Sequence, residues 1–327
     1  MAPSAPLLIR HPHGITTVDA EYVRPHFAAV HILERAGRAA IIDTGANAAV
    51  PLTLAALAQL GIPRQNVDLL FLTHVHLDHA GGAGLLLQEL PNATVSVQPR
   101  GVAHLVDPAR LEAATIAVYG QQAYERLYGR LIPIAAERIV PSKDGDRLRL
   151  GPSELTVLHT PGHALHHHAL FDPDGRAVFT GDTFGLSYRE LDSDQGAFIV
   201  PTTTPTQFDP EQLLTSVARL AALPVDAAYL THFGRVTDVP RLAQSLREQI
   251  ESCVVMTRRH GSSDQRERLI RNELRQLWID RARTHGIANA AARVDEILGP
   301  DLELNTQGLL SWLEREQRQL APRSRQG

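Results

Sequence analysis

The chain has 327 residues, 43% of them hydrophobic, and a formal net charge of -4 at pH 7. That length buries a large core and predicts one large domain with a smaller one, while the mild charge, with no long same-sign run, excludes the electrostatic footprint of a nucleic-acid binder. The single cysteine, Cys253, excludes an intrachain disulfide and a thiolate metal cluster within one chain.

The N-terminal stretch, residues 1–6, lacks the basic start and apolar core of a secretion signal. No apolar run approaches membrane-spanning length, so a cytoplasmic protein with no membrane partner is expected. Residues from about 7 to 240 read as strands interleaved with helices. Ala39-Ala40-Ile41-Ile42-Asp43 is a buried strand ending at the turn Thr44-Gly45. A helix follows, with Asn47 as N-cap, Pro51 in the first turn and Leu54, Leu57 and Leu60 inward, stopped by Gly61 and Pro63. Strands are predicted over 67–73, 94–97, 155–159, 167–171, 177–180 and 227–230. Helices are predicted over 84–90 and 110–131, with a hairpin turn at Asp172-Pro173-Asp174-Gly175. Phe208-Asp209-Pro210 starts a helix whose buried stripe is Leu213, Leu214, Val217 and Leu220.

Beyond Val239, Leu242, Leu246, Ile250 and Val254 recur at helical spacing. Asp264 with Glu267 forms a capping-box pattern before Ile270, Leu274, Leu277 and Trp278, and two shorter helices are expected over 290–298 and 308–317. The expected division is therefore a catalytic domain at 1–240 and a helical extension at 241–327, the latter serving as a cap or as a homodimer surface.

Four segments carry the chemistry: His74-Val75-His76-Leu77-Asp78-His79, Thr160-Pro161-Gly162-His163, Thr180-Gly181-Asp182 and Thr231-His232-Phe233-Gly234. The first sits between the strand-like Phe71-Leu72-Thr73 and a helical run opened by Ala80-Gly81-Gly82. On an extended turn His74 and His76 point the same way and can share one metal, while Asp78 and His79 point to its neighbour. His163 completes the first ligand set, His232 completes the second, and Asp182 bridges the two. Imidazole and carboxylate suit zinc, iron or manganese. Two dications bring about +4 against about -3 from two aspartates and a bridging hydroxide, leaving roughly +1 to attract a polarised carbonyl or an anion. A lone HxH would carry no such conclusion, but its recurrence in order with three further strand-terminal ligands does.

These segments resemble the metallo-β-lactamase-fold hydrolase superfamily, in the di-metal subgroup of glyoxalase II, acyl-homoserine lactonases and related thioesterases, over about residues 6–239. The resemblance implies an α/β (α+β) architecture, an αββα sandwich with the metals at one edge, here carrying a C-terminal helical extension. Asp43-Thr44-Gly45 matches the family's Asp-Thr-Gly turn, whose aspartate steadies the metal ligands. The reaction implied by the resemblance is hydrolysis of an ester, thioester or lactone of a small molecule by a metal-bridging hydroxide. Two divalent ions, zinc first, would act with Asp182 as bridge, and Asp78 or a metal-bound water would return the proton.

The segment 183–209, leaving Asp182 through Phe184, Tyr188, Arg189, Phe198 and the run 201–205, is the expected substrate wall. Tyr188 would donate to an oxyanion and Arg189 would hold a carboxylate. His159, His166, His167 and His168 are read as supporting or surface residues, His11 and His13 as loop residues, and Cys253 as a core side chain. The rivals are a phosphodiesterase on the same cluster and a metal-containing ligand sensor or effector without turnover. Flavodiiron reductases normally have Glu at the position of His76, and a persulfide dioxygenase would keep one iron rather than the full set of Asp78, His79 and His232.

Overall fold

The computed structural model describes residues 6–204 and 206–320; residues 1–5, on which most of the N-terminal reading rests, and Pro205 lie outside them. The chain divides into two compact units. Of the described residues, the first takes those up to Thr160 with His166–Asp182 and Ala222–Val239, and the second takes Pro161–Leu165, Thr183–Ala221 and those from Pro240 onward. Val239 and Pro240 fall in different units, and the segment after Asp182 groups with the C-terminal helices rather than with the sheets.

In the first unit, seven strands pair in chain order: β1 (Leu8–Arg10), β2 (Ile15–Asp19), β3 (Ala29–Arg35), β4 (Arg38–Ile42), β5 (Val67–Phe71), β6 (Thr94–Val97) and β7 (Ile139–Pro141). The first four are antiparallel and the rest parallel, because α1 (Val50–Leu60), α2 (Leu77–Ala80) with α3 (Ala83–Gln88), and α4 (Val102–Val106) with the two helices after it form the crossovers. The expected helix over 110–131 is two, α5 (Ala109–Tyr119) and α6 (Gln121–Leu127), parted by Gly120 at φ +80°. The second sheet contains β8 (Arg147–Leu150), β9 (Ser153–His159), β10 (His168–Asp172), β11 (Ala177–Phe179), β12 (Ala227–Leu230) and β13 (Gly234–Val236), paired in that order.

The two sheets share one apolar layer. Ile15, Leu33, Ile42, Leu69 and Phe71 of the first meet Leu155, Val157, Leu170, Phe179 and Tyr229 of the second. Apolar side chains of the opposite pleat, Ile32, Ile41, Leu70 and Val95, pack with Leu57, Leu86 and Leu105 of the helices. Burial of both faces explains why β2, Ile-Thr-Thr-Val-Asp, shows no apolar alternation although all five residues are buried. This is the two-sheet architecture expected from the resemblance.

The second unit holds α7 (Pro210–Ala221), α8 (Val239–His260), α9 (Arg266–Thr284) and α10 (Ala290–Leu320). Three local expectations are corrected. Asn47 does not cap α1; a 3-10 turn precedes the helix, and the Asn47 amide donates to Tyr128 O and Arg130 O. No side chain caps α9, which begins after Asp264 has passed. The two last helices are one, with Pro300 inside it. The proline removes one donor, but Val294, Leu298, Leu302, Leu309 and Leu313 form a continuous buried stripe across it, and packing outweighs the lost bond. Gly61 does end α1 in the left-handed conformation, at φ +70°. Among the described residues no helix is long and apolar enough to cross a membrane.

Candidate metal centre

Every expected ligand follows the C-terminal end of a strand: His74 to His79 after β5, His163 after β9, Asp182 after β11 and His232 after β12. The loop after β5 is held by the turn after β4. Asp43 takes φ +55°, its backbone N–H donates to Phe71 O at 2.9 Å, and Thr44 N–H donates to His79 O at 2.7 Å. The buried Asp43 carboxylate then accepts from Thr73 N–H (2.8 Å), the Thr73 hydroxyl, the Thr231 hydroxyl (2.8 Å) and His79 Nδ1 (2.8 Å). These four donors occupy the carboxylate, and the bond to Nδ1 sets the orientation of His79. The role expected for Asp43 is the one its bonds describe.

With Nδ1 tied to Asp43, His79 turns Nε2 inward, 3.2 Å from Asp182 Oδ1 and 3.7 Å from Asp78 Oδ2. That Nε2 is buried and has no properly directed hydrogen bond. His232 is arranged alike: Nδ1 lies 2.9 Å from Phe27 O, and Nε2 faces Asp78 Oδ2 at 3.3 Å and Asp182 Oδ1 at 3.6 Å. His74 Nδ1 lies 3.1 Å from Thr73 Oγ1, leaving its Nε2 only 2.9 Å from His76 Nδ1. Two groups, His74 with His79 and Asp182, and Asp78 with His79 and His232, each bring their ligand atoms within 4.8 Å of one another. His163 lies in the stretch Pro161–Leu165, which packs with the second unit although both its ends are covalently joined to the first.

Burial opposes charge on His79 and His232. The carboxylates of Asp182 and Asp78 outweigh it for both, with Asp43 adding to the effect at His79, holding His79 well above its ordinary value and pushing His232 up to about 9. Burial also opposes charge on Asp78, yet His79 and His232 keep its carboxyl well below the usual range. A divalent cation would balance the same carboxylates. The inward, unbonded Nε2 of His79, the facing ring nitrogens of His74 and His76, and an oxygen-nitrogen donor set all fit such an ion.

Sequence reasoning understates the neighbouring histidines. His167 Nδ1 lies 2.9 Å from Thr160 Oγ1, and its Nε2 accepts the Asp182 backbone N–H at 3.1 Å, so it holds the backbone of Asp182 in place. Gly181, at φ +49°, leaves no room for a Cβ between Thr73 Oγ1 and His167 Nε2. The signal is the run His166-His167-His168 leading into β10. His166 and His168 are pushed down to about 3, chiefly by burial, and His168 donates to Leu72 O as a core residue. Tyr188 differs from its expected role: it is fully buried in the second unit, with its hydroxyl 3.3 Å from Asp301 Oδ1. The Arg189 guanidinium is turned to the Ser187 carbonyl and Asp192.

Comparison with known proteins gives the family and the fold. A family model described as the metallo-beta-lactamase superfamily matches residues 23–232. The metallo-beta-lactamase fold-containing protein ST1585 of Sulfurisphaera tokodaii is 26% identical over 244 residues, covering 73% of this chain and 84% of that protein. A hydroxyacylglutathione hydrolase of Salmonella paratyphi A is 31% identical over 151 residues, 45% of this chain but only 43% of its own length. Among solved structures, TTHA1429 from Thermus thermophilus, a metallo-beta-lactamase family protein, superposes with a TM-score of 0.61 at 22% identity, over 95% of this chain and 92% of that one.

Proposed function

This chain belongs to the metallo-beta-lactamase superfamily, and on that premise we propose that it is a metal-dependent hydrolase cleaving a carboxylic ester, thioester or lactone of a small molecule. The observation that carries the proposal is the position of Asp182 Oδ1, within 3.6 Å of the inward nitrogens of both His79 and His232 and in reach of a second ligand group through His74. The named activity of the hydroxyacylglutathione hydrolase supports acyl-group hydrolysis; with less than half of that protein matched, its substrate is not carried over.

His74, His76 and His163 would hold one ion, Asp78, His79 and His232 the other, and Asp182 both. Zinc is the proposed metal, although the nitrogen and oxygen donors also accept iron or manganese. Bound there, divalent ions supply a water acidified toward neutral pH and a Lewis acid for the carbonyl. The chain's part is to hold these donors still. Asp43, Thr73 and the Phe27 carbonyl fix the ring orientations, and His167 holds the backbone of Asp182. Asp78, a ligand with 22% of its side chain exposed, or a metal-bound water would take the proton released by the attacking water and return it to the leaving thiolate or alkoxide. No serine or cysteine nucleophile takes part, in keeping with the buried Cys253 thiol, pushed up to about 12 by burial.

The test is a panel of esters, thioesters, lactones and a phosphodiester given to the zinc-loaded protein and to its Asp182→Ala variant. Carboxyl substrates are expected to turn over, with kcat/KM falling by at least about 10³-fold in the variant, the scale of losing one centre of transition-state charge stabilisation. Full turnover by Asp182→Ala with metal content intact refutes the assignment. Turnover of the phosphodiester alone favours a phosphodiesterase, and binding without turnover favours a sensor.

A further inference from the structure

We propose that Thr204 is a positioning residue for His163 and that helix α10 holds Thr204 for this task through Asn305 and Gly308; the proposal rests on the reading of His163 as a metal ligand given above. An imidazole that binds a cation through one nitrogen carries a proton on the other, and that N–H requires an acceptor that sets the tautomer and the ring plane. Three ligand rings of the first unit have such a partner at Nδ1: Thr73 Oγ1 for His74, Asp43 Oδ2 for His79 and Phe27 O for His232. His163 has its partner in the second unit, where Nδ1 lies 3.3 Å from Thr204 Oγ1. With Thr204 accepting from Nδ1–H, the lone pair of His163 is left on Nε2, as in His79 and His232.

Thr204 has a rigid foundation. Its neighbour Thr203 is fully buried; the Thr203 backbone N–H donates to Asn305 Oδ1 at 2.6 Å, and its hydroxyl reaches the same oxygen at 2.7 Å. The Asn305 amide donates in turn to Asp301 O at 2.8 Å, which fixes its orientation one turn back along α10. Gly308 stands where a Cβ would lie 1.5 Å from Thr203 O, so only glycine lets the backbone of residues 203–204 approach the helix this closely. The His163 loop is gripped by the same unit: Asp209 N–H donates to Gly162 O at 2.7 Å and the Ser216 hydroxyl to Pro161 O at 2.7 Å. Gly162, at φ +135°, leaves no space for a Cβ against the Leu213 backbone.

The experiment compares wild type, Thr204→Val, Thr204→Ser and Asn305→Ala after zinc loading, using elemental analysis, chelator-competition titration and the visible spectrum of the cobalt-substituted proteins. Thr204→Val is expected to weaken one of two bound ions by about 10–100-fold, the usual effect of losing a ligand's hydrogen-bond partner, and to shift the cobalt bands. Thr204→Ser should restore both. Asn305→Ala should weaken the same ion while circular dichroism shows the helices intact. Thr204→Val holding both ions as tightly as wild type, with an unaltered cobalt spectrum, overturns the proposal. Unaltered affinity in Asn305→Ala removes α10 from it. A wild type that takes up no ion instead fails the underlying metal reading, and the two failures are thereby told apart.

Discussion

At the scale of single residues, the centre is decided by which ring nitrogen is tied and which is left facing inward. Asp43 illustrates this most clearly, since one carboxylate receives Thr73, Thr231 and His79 and thereby joins the ends of β4, β5 and β12. Asp43→Asn turns one acceptor oxygen into a donor that meets at least one of these donors. Metal affinity should fall about 10–100-fold, and stability by about 1–3 kcal/mol from the unsatisfied buried group; metal titration and urea unfolding read the two effects. Cys253 supplies an independent check on packing. Its thiol, buried and raised to about 12, should resist an alkylating reagent at pH 8 in the folded protein and react fully in denaturant. Rapid native labelling would show that α8 is not packed as described.

At the scale of elements, strands and helix ends diverge in how well local pattern forecasts them. The strand ends that carry ligands are announced by short apolar runs broken by His, Gly and Asp, and 94–97 and 227–230 agree residue for residue with β6 and β12. Strands β1, β2, β3, β7 and β13 are short or buried on both faces and have no period to detect, and β8, Arg-Leu-Arg-Leu, alternates over only four residues. Caps are the least legible feature, because a side chain able to cap can find a better partner elsewhere, as Asn47 does in the carbonyls of Tyr128 and Arg130. Asp264 makes no cap bond to α9. Asp264→Ala should therefore change the unfolding free energy by less than about 0.5 kcal/mol, against about 1 kcal/mol for a working cap. A larger loss in urea unfolding would restore the capping box.

For the whole molecule, the proposed ligands come from four separate strand ends spread over more than 150 residues of chain, so the proposed metal binding would be thermodynamically linked to the fold. Chelation should lower the calorimetric Tm, and zinc at a hundredfold excess over its Kd should restore about 2.7 kcal/mol; a Tm indifferent to chelator would mean that no ion binds the folded state. The sequence alone determined the family and the presence of C-terminal helices, because motif residues and helical spacing are local properties carried by consecutive residues. It did not reveal that His167 backs Asp182, that Tyr188 is spent on Asp301, or that residues 183–221 fold with the C-terminal helices. Those facts depend on partners remote in the chain, such as Thr203 and Asn305, 102 residues apart. Only tertiary packing decides which distant acceptor a given donor meets.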